Sequence, residues 1–230
     1  MLSVDQVRNF PLFKDLSGFE LEALAACMFR GTFVKGTYIF RPGDPAANLY
    51  LVETGLVRVF FCNSQGDEFL LNLVGPQSVI GLPLKNENRL RLLGAVAQFP
   101  TTLLSLSHDD LFRIAKSSNQ LLFNMYTNVT PSLEYLLAHY QSLIINGLEG
   151  RTAALFLLLG ETEADEIDIP VSQADLASWL GVSRGRLNLT LSKFQKQGLI
   201  RLDGTKLHIL NRDRLSGLAE GAVLETLLRK

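Results

Sequence analysis

The sequence predicts an α+β protein with an N-terminal β jelly roll, a long dimerisation helix and a C-terminal winged helix-turn-helix. Short apolar or alternating segments separated by turn residues occupy residues 32–107, which is typical of antiparallel sheets. Apolar residues at heptad spacing over residues 122–143 predict the long helix. Two helical patterns joined at a glycine, followed by two strand-like segments, predict the winged helix-turn-helix. The predicted parts are residues 1–117, 118–147 and 148–230.

Composition limits the class of protein. The chain has 230 residues, of which 47% are hydrophobic, so one large or two modest domains can each bury a core. Cys27 and Cys62 are too few and too far apart for a disulfide framework, a zinc site or a four-thiolate iron–sulfur cluster. The first ten residues lack the apolar core of a signal peptide, and the apolar run at 153–159 is too short to span a membrane. We therefore expect a cytoplasmic protein without membrane contact.

The first half of the chain changes from helical to strand-like patterns. Residues 1–30 are expected to form short amphipathic helices, one of them capped by Ser17. The segments TYIF, LYLVETGLVRVFF and FLLNLV then alternate with the turn-rich segments RPGDPAA, NSQGDE and GPQ, which predicts a jelly roll or another antiparallel sandwich. A metal-dependent enzyme of the cupin type is excluded, because residues 32–107 contain no histidine. No other catalytic constellation stands out, so we predict no enzyme activity and no metal site.

The long helix carries a seam suited to a partner helix. Ser107 predicts the start of the helical region. Beyond it, apolar and aromatic residues recur in steps of four and three: Leu122, Tyr126, Val129, Leu133, Leu136, Tyr140 and Leu143. The seam predicts a parallel coiled coil between two copies of the chain, with packing inside a single chain as the alternative. Pro131 predicts a kink or a new helix capped by Thr130. Residues 147–150 are expected to form a hinge, followed by an apolar helix over residues 151–160.

The C-terminal part is organised by two helix starts. Ser172 can cap the first helix, and Gly181 interrupts the apolar pattern where a sharp turn needs a positive φ. Ser183 then caps a second helix. Its expected inward side chains are Leu187, Leu191 and Phe194. The segments LIRL and KLHIL, with the turn dipeptide at 203–204 between them, predict the hairpin of a wing.

This module is basic although the whole chain is not. Between Ser172 and Arg212 there are seven Lys or Arg residues and two acids, a net charge of 7 − 2 = +5, whereas the whole chain carries −1. A basic winged helix on an acidic body is typical of proteins that bind DNA. The alternative is a basic face that only improves solubility.

Several segments follow, in order and spacing, the pattern of a known family. They are NFPLFKDLSGFELEALA, YIFRPGDP, LYLVETGLVRV, LSLSHDDLFRI, DLASWLGVSRGRLNLTLSKFQKQGLIRL and LHILNRDRL. Over nearly its whole length the chain resembles the Crp–Fnr superfamily, the bacterial transcription regulators related to the cyclic-AMP receptor protein and the fumarate–nitrate regulator. The resemblance implies a cyclic-nucleotide-binding-like roll and a homodimeric, sequence-specific regulator. Its implied partners are a palindromic double-stranded DNA site and RNA polymerase.

The resemblance also implies which residues contact DNA, because the second helix of the turn motif enters the major groove in this family. Arg184 matches the family's arginine, which can bond to a guanine edge. Gly185 stands where glutamate is usual and Leu189 where a later arginine is usual, so Arg186 and Asn188 are expected to recognise bases instead. Ser183 and three lysines are expected at phosphates, with solubility as the alternative. The expected DNA-contacting residues are Ser172, Gln173, Ser183, Arg184, Gly185, Arg186, Asn188, Lys193, Lys196 and Lys206.

The segment SVIGLPLKNENRLRLLGAVA matches the phosphate cassette of the family's cyclic-nucleotide-binding members. Gly81 is present, but Leu82 replaces the expected glutamate, and Leu92 replaces the hydroxyl residue beside Arg91. The leucines that match base-contacting positions in the long helix offer no hydrogen bond. The regulator is therefore predicted not to depend on cyclic AMP. The effector-pocket candidates are Gly81, Leu82, Lys85, Arg89, Arg91, Leu136 and Leu137.

What the roll senses stays open at this point. The alternatives are a cyclic nucleotide, haem, an anionic metabolite held by the basic loop, or no ligand in a pocket filled by leucines. His108 and His139 are expected to be ordinary, partly exposed histidines, and no cofactor is predicted, although an unidentified small-molecule effector is an alternative. Whatever the roll binds is expected to reposition the winged helices through the hinge.

Overall fold

The computed structural model describes residues 2–82, 90–160 and 167–219, and the chain divides into two compact units, Met1–Thr130 and Pro131–Lys230. The helices are α1 (Val4–Arg8), a 3-10 turn (Pro11–Phe13), α2 (Gly18–Cys27), α3 (His108–Ala115), α4 (Asn119–Ile145), α5 (Leu148–Leu159), α6 (Gln173–Trp179), α7 (Arg184–Lys196) and α8 (Arg212–Ala219). The strands are β1 (Phe29–Phe33), β2 (Tyr38–Phe40), β3 (Asn48–Thr54), β4 (Val57–Cys62), β5 (Glu68–Val74), β6 (Val79–Ile80), β7 (Gly94–Ala97), β8 (Thr101–Ser107), β9 (Ile167–Asp168), β10 (Ile200–Asp203) and β11 (Lys206–Ile209). The predicted α+β class is confirmed.

The first unit contains two four-stranded antiparallel sheets, with strand orders β1-β8-β3-β6 and β2-β7-β4-β5. Strands that are not consecutive in the chain lie side by side, as expected for a roll rather than a simple meander. Side chains from both sheets form one buried cluster: Phe40, Val52, Val57, Val59, Ile80, Ala95 and Leu103. The turn-rich sequence of residues 32–107 thus closes around an apolar interior.

Helices cover one face of the β1-β8-β3-β6 sheet. Because successive side chains of a strand point to opposite faces, Leu49 and Leu51 of β3 join the helical cluster while Val52 faces the roll interior. Ser17 caps α2 as predicted: its Oγ accepts a hydrogen bond from the Glu20 amide at 3.3 Å, and the Glu20 carboxylate accepts from the Ser17 amide at 2.7 Å. The inner strands β3 and β8 are therefore packed on both faces, whereas the edge strand β1 is largely exposed.

Helix α4 is continuous from Asn119 to Ile145 and contains Pro131. The prediction of a new helix capped by Thr130 is therefore wrong. The Thr130 hydroxyl instead donates to the Tyr126 carbonyl at 3.2 Å, one turn earlier in the same helix. Proline lacks a backbone N–H, so the helix loses one hydrogen bond here. In the described ranges, no helix combines the length and the apolar character needed to cross a membrane.

The second unit corrects the predicted hinge. Gly147 is the N-cap of α5, which begins at Leu148, so only the first residue of 147–150 lies outside helices. Gly150 belongs to the first turn of α5, and a Cβ atom there would lie 3.0 Å from the Leu218 carbonyl oxygen. The glycine thus permits close packing of α5 against α8, not bending. Strand β9, which was not predicted, adds a third strand to the wing in the order β10-β11-β9.

Candidate nucleic-acid interface and effector pocket

Helices α6 and α7 form the predicted helix-turn-helix. The Ser172 hydroxyl accepts from the Asp175 amide at 3.1 Å, and the Asp175 carboxylate accepts from the Ser172 amide at 3.3 Å, which closes a capping box on α6. The Ser183 hydroxyl accepts from the Arg186 amide at 3.4 Å at the start of α7. Both hydroxyls therefore hold helix ends, although both serines remain exposed as candidates for phosphate contact.

The turn between these helices depends on Gly181, whose φ of +68° favours glycine. The Val182 amide donates to the Ala177 carbonyl at 2.9 Å, which reverses the chain. A Cβ atom at Gly181 would lie 3.0 Å from Cδ2 of Leu143 in α4. Leu143, a predicted interface residue, is thus partly buried beside the turn of its own unit.

Helix α7 separates buried from exposed side chains as predicted. Leu187, Leu191 and Phe194 are buried. The exposed set comprises Arg184, Gly185, Arg186, Asn188, Leu189, Lys193 and Lys196. Ser172, Gln173 and Lys206 of the predicted interface are exposed as well. Every predicted DNA-contacting residue therefore lies on the surface of one unit.

The charges on this surface are not equivalent. Lys193 Nζ lies 2.6 Å from Glu149 Oε1, a partner that the sequence patterns did not indicate. In the described part of the chain, the guanidinium groups of Arg184 and Arg186 have neither a hydrogen-bond acceptor nor a carboxylate partner. Helix α7 also has no acid in its first turn, whereas α2, α3 and α6 each have one or more. Two cations at a helix N-terminus oppose the helix dipole and leave positive charge for an external anion.

Arg151 links the helix-turn-helix to the end of α4, a role that the sequence patterns did not indicate. Its guanidinium donates to the carbonyls of Leu143 at 3.2 Å, Asn146 at 2.7 Å and Leu180 at 3.0 Å. It thereby satisfies carbonyl groups at the C-terminal ends of both α4 and α6. Burial lowers the pKa of Arg151 from its ordinary value, and the nearby Arg186 charge acts in the same direction.

His139 is not an ordinary surface histidine. Its ring lies 4.7 Å from the Trp179 ring, measured between centroids, and the Trp179 indole donates to the Tyr135 hydroxyl at 2.8 Å. Burial lowers the pKa of His139 below its ordinary value. The ring is partly exposed, as expected, but it also takes part in the aromatic packing that joins α4 to α6, which the sequence did not indicate.

In the first unit, Arg91 is buried, with 8% of its surface exposed. Its guanidinium donates to the backbone carbonyls of Gly81, at 3.1 Å, and Asn48, and it lies 4.3 Å from the centroid of the Phe40 ring. Burial lowers the pKa of Arg91 from its ordinary value. This candidate phosphate ligand is thus engaged by the backbone of the roll.

The other pocket candidates lie in different surroundings. His108 is buried, contrary to expectation, and its Nε2 lies 2.9 Å from the Gly81 carbonyl oxygen. Leu82 packs against the helical cluster. Leu136 and Leu137 are exposed on α4, in the second unit, and Lys85 and Arg89 fall outside the described residues. Of the predicted candidates, Gly81 and Arg91 come together, and His108, which was not predicted there, joins them at the Gly81 carbonyl.

No group of three or more His, Cys, Asp or Glu side chains in residues 2–82, 90–160 and 167–219 is arranged to hold a metal ion. His108 Nε2 lies beside the Gly81 carbonyl, whereas the His139 ring packs against Trp179 and its buried Nδ1 has no hydrogen-bond partner in the described residues.

Comparison with known proteins assigns both units. The family model of the Crp-like helix-turn-helix domain matches residues 150–218, and that of the cyclic nucleotide-binding domain matches residues 30–118. The chain belongs to the Crp–Fnr superfamily of transcription regulators. Members of this superfamily are regulators with a helix-turn-helix DNA-binding domain, and the relatives found are not enzymes.

Relatives within the Crp–Fnr superfamily align over most of the chain. The cyclic AMP receptor protein of Thermus thermophilus is 26% identical over 216 residues, covering 94% of this chain and 99% of the relative. The anaerobic regulatory protein of Bacillus subtilis is 24% identical over 210 residues, covering 88% of each chain. Among solved structures, the c-di-GMP-responsive global regulator CLP of Xanthomonas campestris superposes with a TM-score of 0.74 at 23% identity, covering 85% of this chain and 100% of that one. This last likeness supports the fold.

Proposed function

We propose that the chain is a homodimeric, sequence-specific DNA-binding regulator that recognises its palindrome without cyclic AMP. The observation that carries the proposal is the first turn of α7, where the Arg184 and Arg186 guanidinium groups are exposed without an acceptor in the described structure. A guanidinium fork matches the O6 and N7 acceptors of guanine in the major groove. Asn188, one turn on, has the amide group that pairs with adenine.

Dimerisation is supported by the outward face of α4. Six seam residues, Leu122, Tyr126, Val129, Leu133, Leu136 and Tyr140, are 41–71% exposed. An apolar row at heptad spacing costs free energy in water unless a second helix covers it. Two copies related by a two-fold axis would present two copies of α7 to half-sites about one helical turn apart, which explains why a palindrome is expected.

Independence from cyclic AMP is supported by Arg91 and Leu82. To bind a phosphate, the Arg91 guanidinium would have to give up its hydrogen bonds to the carbonyls of Gly81 and Asn48, and of these two only the Gly81 carbonyl would keep a second side-chain contact, to His108 Nε2. Leu82 packs against the helical cluster and has no acceptor for a ribose hydroxyl. We propose that DNA binding needs neither a nucleotide nor a resident cofactor.

The remaining partners follow from the same proposal. A regulator bound at a promoter acts on RNA polymerase, which we propose as the second macromolecular partner. The site of action is the bacterial cytoplasm, where the chromosome lies. Movement of the winged helices would occur at Asn146 and Gly147 between α4 and α5, beside the Arg151 guanidinium that bonds both helix ends.

The deciding experiment is selection of binding sites from a random duplex library, with the purified protein alone and with added cyclic AMP. We expect the same palindrome in both arms, and an absorption spectrum without a haem band. Enrichment only with cyclic AMP would overturn the nucleotide-independent mechanism. A folded dimer that enriches no sequence in either arm would overturn DNA recognition by the protein alone.

Dimerisation is tested separately by sedimentation, since one chain has a mass of 25.5 kDa. Leu133→Asp should shift the protein toward the monomer, because it places a charge in the seam. Leu210→Asp is the matched control, because Leu133 and Leu210 are both 55% exposed but only Leu133 lies in the seam. Equal behaviour of the two variants would contradict an α4 interface.

A further inference from the structure

Leu189 is the most conspicuous apolar side chain of α7, with 73% of its surface exposed. At 3.6 residues per turn it lies nearly opposite the buried Leu187 and Phe194, at the centre of the outward face. An exposed leucine here stabilises neither the core nor the first turn of the helix. The fold therefore does not account for this residue.

Gly185 lies one turn before Leu189 and is equally unexplained by the fold. A Cβ atom built at Gly185 would meet nothing within 4 Å, and its φ is not positive. Glycine inside a helix is unfavourable relative to alanine because it loses more backbone freedom on folding. A residue without a side chain at this position removes bulk only from the outward surface, where it would matter only to an approaching partner.

The two positions form one surface feature. Side chains of a helix lean toward its N-terminus, so the Leu189 side chain extends over the turn that contains Gly185. The result is a shallow apolar notch with the exposed polar side chains of Arg184 and Asn188 on one side and that of Arg186 on the other. Leucine cannot hydrogen-bond to a base edge, and the one apolar group that base pairs display in the major groove is the 5-methyl group of thymine.

We propose that Gly185 and Leu189 form a pocket for a thymine methyl group in each half-site. The proposal rests on the proposed function, because it assumes that α7 enters the major groove. Gly185 lets the helix backbone approach the bases, and Leu189 covers the methyl group. Arg184 and Asn188 supply the flanking hydrogen bonds that set the register. This apolar pair then selects a T·A pair next to the positions that its polar neighbours recognise.

The direct test uses deoxyuridine, which keeps the hydrogen bonds of thymine but lacks the methyl group. Each thymine of the selected palindrome is replaced in turn, symmetrically in both half-sites, and the Kd is measured. Burial of one methyl group corresponds to about fourfold in affinity, so we expect about fifteenfold weaker binding when both half-sites are changed at the contacted position. Thymines at other positions are the matched control and should tolerate the change.

Substitutions at Leu189 and Gly185 test whether these residues cause the sensitivity to the thymine methyl group. In Leu189→Ala the penalty for deoxyuridine should vanish, whereas Leu189→Met, which stays apolar, should retain it. Leu189→Arg should shift the preferred base pair at that position from T·A to G·C in a new site selection. Gly185→Ala should leave the Tm unchanged or higher but weaken specific binding, because its new methyl group faces only the DNA.

The outcomes separate this inference from the proposed function. A selected palindrome without any thymine sensitive to loss of its methyl group would overturn the inference and leave the proposed function intact. A sensitive thymine whose penalty persists in Leu189→Ala would overturn the assignment to Leu189. Failure to select any palindrome would count against both proposals.

Discussion

Two arginines show how differently the two units use the same side chain. In the roll, Arg91 is buried against Phe40 and donates to the carbonyls of Gly81 and Asn48. At the start of α7, Arg184 is exposed and has no acceptor in the described structure. The roll thus holds the terminal nitrogens of its own cation with backbone oxygens, whereas the helix leaves its cation available to a ligand.

The two sites also differ in the free energy that the placement of each arginine costs. A buried guanidinium is tolerated when carbonyl groups accept its hydrogen bonds, so Arg91 is part of the folded core of its unit. Arg184 and Arg186 stand at a positive helix end, where acids are favoured, and this placement costs about 0.3–1 kcal/mol for each charge. A structural role explains Arg91 and fails to explain Arg184, so substitutions at the two sites should affect different properties.

The largest effect is expected for Arg184→Ala. Loss of one guanine contact should remove about 1–3 kcal/mol of discrimination in each half-site, with no loss of stability. Anisotropy titrations on the selected palindrome and on a scrambled duplex, over a series of salt concentrations, measure this ratio. Lys196→Ala serves as the control, because a phosphate contact should weaken both duplexes equally and reduce the salt slope. Unchanged selectivity in Arg184→Ala would contradict its role.

Arg91→Met should show the reverse pattern. Methionine keeps the apolar stem but removes the donors to the carbonyls of Asn48 and Gly81, of which Gly81 keeps its contact with His108 Nε2, so the free energy of unfolding should fall by about 1–3 kcal/mol. Urea denaturation measures this loss, and DNA selectivity below the unfolding transition should be retained. Arg184→Met is the matched control and should be as stable as the wild type. A fully stable Arg91→Met would show that the arginine is held for a ligand.

The smallest effect concerns pH and the roll alone. Burial holds the pKa of His108 below its ordinary value of 6.5, although the hydrogen bond to the Gly81 carbonyl opposes the shift. The charged groups nearby are Arg91 and Asp109. Because the unfolded chain then binds the proton more readily, the free energy of unfolding should fall as the pH drops below about 6.5. His139 shifts in the same direction. Denaturation of the wild type and of His108→Gln is measured between pH 7.5 and 5.5. The variant should lose less of its free energy of unfolding over this range than the wild type. Equal losses would show that His108 is not the source of the pH dependence.

Local features of the fold were predictable because a few neighbouring residues determine them. Ser17, Ser172 and Ser183 cap the helices that were assigned to them, and Gly181 makes the turn that its position indicated. The turn of the wing lies one residue later than predicted, at 204–205, because Asp203 pairs with Lys206 in the hairpin. Such errors of one residue leave the architecture unchanged.

Long-range features were not predictable in the same way. Glu149 and Lys193 form an ion pair across 44 residues, and Arg151 reaches the Leu180 carbonyl across 29. Gly150 suggested a hinge from its sequence position but meets α8 in the folded unit. These contacts depend on which distant segments the packing of the core brings together, and no local pattern carries that information.

Local patterns predict the order of the parts, the periodicity of each helix, the side chains of α7 that point inward and the basic charge of the winged helix. These properties follow from the spacing of apolar residues, from caps and from composition, and the same spacing places Leu189 on the outward face. The folded structure was needed to show that Arg91 bonds to the backbone of the roll and that Leu82 packs into the helical cluster. Whether a polar group finds a hydrogen-bond partner, or an apolar group is buried, depends on residues far away in the chain. Folding brings those residues into contact.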